Sequence, residues 1–177
     1  CPGPIMAATA EFVITVKGRG GHAAMPHMVV DPILAASQIV TALQSIASRN
    51  VHPLDSVVVS VTKFHAGDAL NVIPDTVELA GTVRTLKKEV NADAEKRMRT
   101  ICEGVAAAHG AEVDVYYDSN YPVTFNHAEE TVFASGVASD VAGAAQVDTN
   151  VTPTMGGEDF SYMLEARPGA FIFIGNG

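Results

Sequence analysis

Six histidines in 177 residues raise metal chelation as the first chemistry to test. His22 and His27 are five positions apart, which puts them on opposite faces of a strand and about 140° apart on a helix, and neither geometry chelates. His52, His65, His109 and His127 have no neighbouring His, Cys or carboxylate at a recognised zinc spacing. No metal ligand is assigned on this basis. The glycine run before His22, Gly18-Arg-Gly-Gly-His-Ala23, matches a loose dinucleotide-binding pattern. A dinucleotide turn must open directly into a helix, however, and Pro26 and Pro32 interrupt the residues after the run. Two readings remain for this run: a plain turn, or a glycine loop that presents His22 to a ligand.

Three further places could do chemistry. Asn71-Val-Ile-Pro74 precedes an extended stretch, where an asparagine tolerates turn geometry. Arg84 lies one residue out of phase with an apolar alternation, so it projects from the opposite side of its strand. It is either a solvated charge or a fork for a carboxylate. Gly156-Gly157-Glu158-Asp159 stands at the start of a short helix. Acidic groups there gain about 0.3–1 kcal/mol from the helix dipole, and the glycines would also let backbone approach a ligand.

These residues need a scaffold, and the periodicities supply one. Phe12, Ile14 and Val16 alternate as a strand from Glu11 to Lys17. Asp31-Pro32 opens a helix whose apolar face runs through Ala36, Ile39, Val40, Leu43, Ile46 and Ala47 towards a stop at Asn50. Val57, Val59 and Val61 predict a second strand, and Val77, Leu79, Gly81 and Val83 a third. A second helix is expected from about Val90 to His109 with Gly110 as its stop, then a strand through Val113, Val115 and Tyr117. The order βαββαβ predicts a ferredoxin-like unit, an antiparallel four-stranded sheet with both helices on one face. From Tyr121 the rhythm changes. A helix near Ala128–Val141, a short strand at Gln146–Asp148, a helix at Asp159–Glu165 and a strand at Ala170–Gly175 read as part of a layered α/β domain. The fold class is therefore α/β with an α+β unit, divided as 1–9, 10–118 and 119–177.

Composition narrows the partners. Twenty acidic against eleven basic residues, a net charge of −9, leave no basic face for nucleic acid. No apolar run approaches the roughly 20 residues of a membrane span, and the two cysteines, Cys1 and Cys102, do not make a disulfide framework. A cytoplasmic protein is expected. The start without methionine and the buried-type strand near the end, lacking neighbours, read as a piece of a longer protein.

Taken together, Gly18-Arg-Gly-Gly-His-Ala-Ala-Met-Pro-His27, Asp31-Pro32, Asn71-Val-Ile-Pro-Asp75, Gly81-Thr-Val-Arg-Thr85 and Gly156-Gly-Glu-Asp-Phe-Ser161 resemble the hippurate hydrolase and auxin-conjugate hydrolase family of amidohydrolases, in the superfamily of aminoacylase and glutamate carboxypeptidase metallopeptidases. The five motifs occur in order across nearly the whole chain. The resemblance implies a catalytic domain with two divalent ions, zinc or manganese, carrying an inserted βαββαβ lid that forms a homodimer. It implies that His22 reaches the opposite subunit's active site as an oxyanion stabiliser, that Asn71 and Arg84 grip the substrate's carboxylate, and that Gly156 and Gly157 line the cleft. The implied reaction is attack of a metal-bound water on the amide of an N-acyl amino acid, with a glutamate as base. The family's Cys-x-His motif, paired glutamates and remaining histidines have no counterpart between Cys1 and Gly177, and Glu158 does not occupy the base position. The chain alone is therefore expected to bind no metal and to be inactive. The rival expectation is a ferredoxin-like dimeric sensing or interaction module without catalysis, its edge strands pairing between chains.

Overall fold

In a computed structural model, which describes residues 1–175, the alternation of small and branched apolar residues becomes pairing. The chain runs β1 (Gly3–Met6), β2 (Ala8–Lys17), a two-residue β3 (Gly21–His22), α1 (Pro32–Leu43), β4 (Val57–Ala66), β5 (Val72–Ile73), β6 (Thr76–Thr85), α2 (Lys88–Ala108), β7 (Glu112–Tyr121), β8 (Thr124–Asn126), α3 (Ala128–Ala142) and α4 (Phe160–Ala166). The main sheet has the order β4-β6-β2-β7 and is antiparallel throughout. It is the expected ferredoxin-like arrangement.

One face of that sheet is the core. Phe12, Ile14 and Val16 from β2, Val77, Leu79 and Val83 from β6, and Val59 from β4 are buried against Ala35, Ala36, Ile39 and Leu43 of α1 and Ala94, Met98, Cys102 and Ala106 of α2. The i, i+4 spacing of Ala94, Met98, Cys102 and Ala106 makes a single stripe, as an amphipathic helix on a sheet requires. Asp31 caps α1, its carboxylate accepting from the N–H groups of Ile33 at 2.9 Å and Leu34 at 3.4 Å. Gly110 ends α2 with φ +69°, a left-handed conformation open to glycine. Beyond Leu43, α1 gives way to a wider π-type turn over Ile46–Asn50, close to the expected stop.

The C-terminal segment departs from expectation in two places. The strand predicted at Gln146–Asp148 is a 3₁₀ turn over Ala144–Gln146 followed by unpaired chain. The strand predicted at Ala170–Gly175 is not a strand. The reason is the same in both: a strand exists only where a neighbouring backbone completes its hydrogen bonds, and among the described residues none lies alongside. At Phe171 a buried side chain takes that place. The Asn126 amide accepts from the Phe171 N–H at 2.7 Å and donates to its carbonyl at 2.9 Å. Past it, Ile172, Phe173 and Ile174 are exposed, Ile174 at 87%. Asn176 and Gly177, the last residues of the predicted 119–177 segment, lie outside the described residues.

Candidate functional site

The glycine run is what brings His22 into position. A Cβ on Gly18 would lie 2.1 Å from the Val30 carbonyl oxygen, and one on Gly20 would lie 2.4 Å from that of Ile73. Real side chains cannot approach so closely, so these backbones touch only because glycine is there. Gly18 N–H donates to the Asp75 carbonyl at 2.8 Å, and Gly20 N–H donates to the Asp75 carboxylate at 2.8 Å. The loop is thereby stitched to the Asn71–Asp75 segment, and β3 pairs with β5, Gly21 opposite Ile73 and His22 opposite Val72. Ala23 N–H closes the ribbon on the Asn71 carbonyl at 3.0 Å. His22 and Asn71 thus share one exposed tip.

The imidazole has a definite polarity. His22 Nδ1 accepts from the Ala24 N–H at 3.1 Å, so in the neutral ring the proton lies on Nε2, which is left as a donor. That is the form needed to stabilise an oxygen that gains negative charge.

Arg84 lies elsewhere. It sits on β6 opposite Thr9 of β2 and Val58 of β4, on the sheet face away from the helices, as its phase predicted. Gly157 rests on the same spot: a Cβ there would lie 2.1 Å from Thr9 Cγ2, 3.3 Å from Tyr121 Cδ2 and 3.4 Å from Arg84 Nη1. Gly156 is bound beside it, its carbonyl accepting from the Ala7 N–H at 2.8 Å. Arg84, Gly156 and Gly157 therefore form a second cluster. Neither an ion pair nor a hydrogen bond engages the half-buried Arg84 guanidinium among the described residues. A partly desolvated guanidinium beside glycine backbone has the planar donor fork that a carboxylate matches.

The five predicted residues thus divide into two groups at opposite ends of the sheet. Lys17, Thr76 and Ala66 mark the His22 and Asn71 end; Thr9, Arg84 and Val58 mark the other. From Thr76 to Arg84 is eight residues of strand, roughly 26 Å at the rise of an extended chain. One chain does not bring all five to one cleft.

Several neighbours escaped sequence reasoning. Thr9 and Tyr121 flank Arg84 and Gly157, and Thr9 Oγ1 accepts from the Tyr121 N–H at 3.2 Å. The Tyr162 hydroxyl donates to the Asn120 carbonyl, joining α4 to the end of β7. Val72 faces His22 in a ribbon too short for any alternation to reveal. Glu158 behaves as its helix-start position suggests, its carboxylate accepting from the Phe160 N–H at 3.3 Å.

Comparison with known proteins gives this geometry a context. Residues 8–110 match the peptidase dimerisation domain of the M20 family. Over 174 residues the chain is 42% identical to an N-acetyl-L-cysteine deacetylase of Bacillus subtilis (strain 168), covering 98% of this chain and 41% of that protein. It is 41% identical over 174 residues to a hippurate hydrolase of Campylobacter jejuni, covering 98% and 45%. A crystal structure of a dinuclear metal binding peptidase from the M20 family of Bacillus subtilis superposes with a TM-score of 0.74 at 34% identity, covering 96% of this chain and 41% of that one. The chain spans less than half the length of these relatives.

Proposed function

This chain belongs to the M20 peptidase dimerisation-domain family, and from that premise we propose that it is the lid and part of the catalytic body of a two-metal amidohydrolase that cleaves N-acyl amino acids. In this reading residues 10–118 are the lid, and 1–9 and 119–177 belong to the catalytic body. A cytoplasmic setting is proposed from Cys1 and Cys102, which are both free thiols. No helix of the described residues is long and apolar enough to cross a membrane.

The lid would pair with a second copy through β4. The sheet has two edges, β4 and β7. β7 carries Glu112, Asp114 and Asp118 without a lysine or arginine, so a copy of itself would meet like charge. β4 begins Val57-Val58-Val59-Ser60-Val61, uncharged and in regular register until the irregularity after Val61. Such a flat edge is a ready template for another strand.

Antiparallel self-pairing of β4 supports a composite site. Val58 stands beside Arg84, and Ala66 beside Val77. The start of β4 therefore marks the Arg84 end and its finish the His22 end. Two β4 strands running in opposite directions set the His22 end of each protomer level with the Arg84 end of its partner. One β6 is then three strand spacings from the other, about 14 Å, against roughly 26 Å along β6 within a chain. His22 and Asn71 would come from one protomer, and Arg84, Gly156 and Gly157 from the other.

Each residue has a role in that site. Arg84 holds the carboxylate of the N-acyl amino acid with its planar fork, and Asn71 adds a directional hydrogen bond. His22 donates from Nε2 to the amide carbonyl oxygen as negative charge develops there, a contact worth about 2.7–4 kcal/mol in comparable sites. Gly157 lets its backbone close on Thr9 next to the guanidinium, with Gly156 beside it, so that backbone lines the site there. Among the described residues no three His, Cys, Asp or Glu side chains converge to hold an ion. The described residues do not fit a metal centre, so the two ions, zinc or manganese by resemblance, would rest on ligands outside this chain.

Arg84 carries the reading: half-buried, beside glycine backbone and unengaged among the described residues. The test is amino-acid release from N-acetyl and N-benzoyl amino acids by the full-length protein. Release should stop after chelation and return with zinc or manganese, while the isolated 177 residues should release none. A metal-loaded full-length protein that cleaves neither substrate would sink the proposal.

A further inference from the structure

Val72 stands directly across from His22 in the β3–β5 ribbon. Directly opposed residues of an antiparallel pair project from the same face, their Cβ atoms about 4.5–5.5 Å apart. The next pair, Gly21 and Ile73, faces the other way, and Ile73 is half-buried. The face that presents the imidazole therefore presents Val72, which is 50% exposed. Leu70, two residues before Val72, and Met25, whose N–H donates to the His22 carbonyl at 2.8 Å, are exposed as well. The ribbon itself carries no carboxylate, lysine or arginine. Of the charged residues around the ribbon, the Asp75 carboxylate accepts from the Gly20 N–H and the Arg19 guanidinium donates to the Met28 carbonyl at 3.1 Å, while Asp68 stands exposed in the loop before Leu70. On the ribbon itself the imidazole thus has an uncharged, apolar neighbour in Val72.

We propose that Val72 is a specificity-determining residue, lining the acyl side of the scissile amide and selecting uncharged, apolar acyl groups over acidic ones. The inference rests on the reading of His22 as the donor to the substrate's carbonyl oxygen. Whatever is attached to that carbonyl comes within reach of the side chain beside the imidazole. Asn71, the preceding residue, is assigned to the carboxylate on the amine side, which leaves the acyl side to Val72. An acidic acyl group would lose water against this wall without meeting a cation, and that costs affinity.

The experiment measures kcat/KM of the full-length enzyme for the N-acetyl, N-benzoyl and N-succinyl forms of one amino acid. Wild type should prefer the acetyl and benzoyl forms. Val72→Ala should lower the benzoyl-to-acetyl ratio about tenfold, the scale on which an apolar pocket senses lost methyl groups. Val72→Lys should raise the succinyl-to-benzoyl ratio by at least about tenfold. Equal changes for all three substrates would overturn the assignment. So would a Val72→Lys protein that sediments as a monomer with no activity, since Val72 would then contact the partner chain. His22→Ala in the same panel separates the two levels. Full activity of His22→Ala, or no turnover by wild type, removes the premise as well; a crippled His22→Ala beside unchanged ratios in the Val72 variants removes the specificity assignment alone.

Discussion

Two inactive variants, mixed, separate a composite site from one built within a single chain. His22→Ala removes the donor at the tip, and loss of one such donor lowers kcat by about 100- to 1,000-fold. Arg84→Ala removes a charge-assisted contact of about 1.5–3 kcal/mol, or roughly 10- to 150-fold in kcat/KM. Each homodimer carries its lesion in both sites. Arg84 lies towards the finish of β6 and His22, in β3, lies towards its start, with eight strand positions between Thr76 and Arg84. A site that uses both must therefore take them from different protomers. In a heterodimer of the two variants, one site receives His22 from the Arg84→Ala chain and Arg84 from the His22→Ala chain, and is intact. The other site carries both lesions. Random association makes half the dimers mixed with one good site of two, so about a quarter of wild-type activity should return. The assay is amino-acid release by the full-length variants after co-expression, with heterodimers isolated through two different tags. These should show about half the wild-type rate per dimer. Activity no greater than that of the separate variants would refute the two-ended arrangement and the β4 pairing behind it.

Three other outcomes are expected from the fold. In Gly157→Ala the added methyl would lie 2.1 Å from Thr9 Cγ2; Thr9 is buried, so the clash should cost about 1–3 kcal/mol in denaturant unfolding, and an unchanged midpoint would mean that Gly157 does not press on β2. Asp31→Ala frees the N–H groups of Ile33 and Leu34 at the start of α1 and should cost about 1 kcal/mol in the same experiment. Burial pushes the Cys102 thiol up to about 12 from an ordinary 9.0. The unfolded chain then binds fewer protons above pH 9, so this contribution is intact below about pH 9 and is lost as pH rises towards 12, by about 1.4 kcal/mol per unit. Burial also raises the Tyr117 hydroxyl, with the same sign, so the comparison is wild type against Cys102→Ala in urea melts from pH 8 to 11; identical slopes would contradict the burial argument.

The four-stranded sheet and its two helices were legible because their signals are local. Phe12, Ile14 and Val16 alternate whatever lies around them, Asp31-Pro32 starts a helix by its own chemistry, and Ala94, Met98, Cys102 and Ala106 recur at helical spacing. The C-terminal segment was less legible. Ala170–Gly175 has the composition of a buried strand, but pairing is a property of two backbones, and here the Asn126 side chain is the partner that Phe171 finds.

The candidate site divides along the same line. Which residues were candidates, the imidazole after a glycine run, the amide before Val-Ile-Pro and the arginine out of phase on its strand, could be picked out from residue type and short spacing, because side-chain chemistry and backbone strain act over a few positions; their roles came only from the resemblance. That His22 meets Val72, that Gly157 lies against Arg84, and that these two places stand at opposite ends of one sheet depended on register and strand order. Those are set by hydrogen bonds and packing between segments far apart in the chain, and no local spacing encodes them.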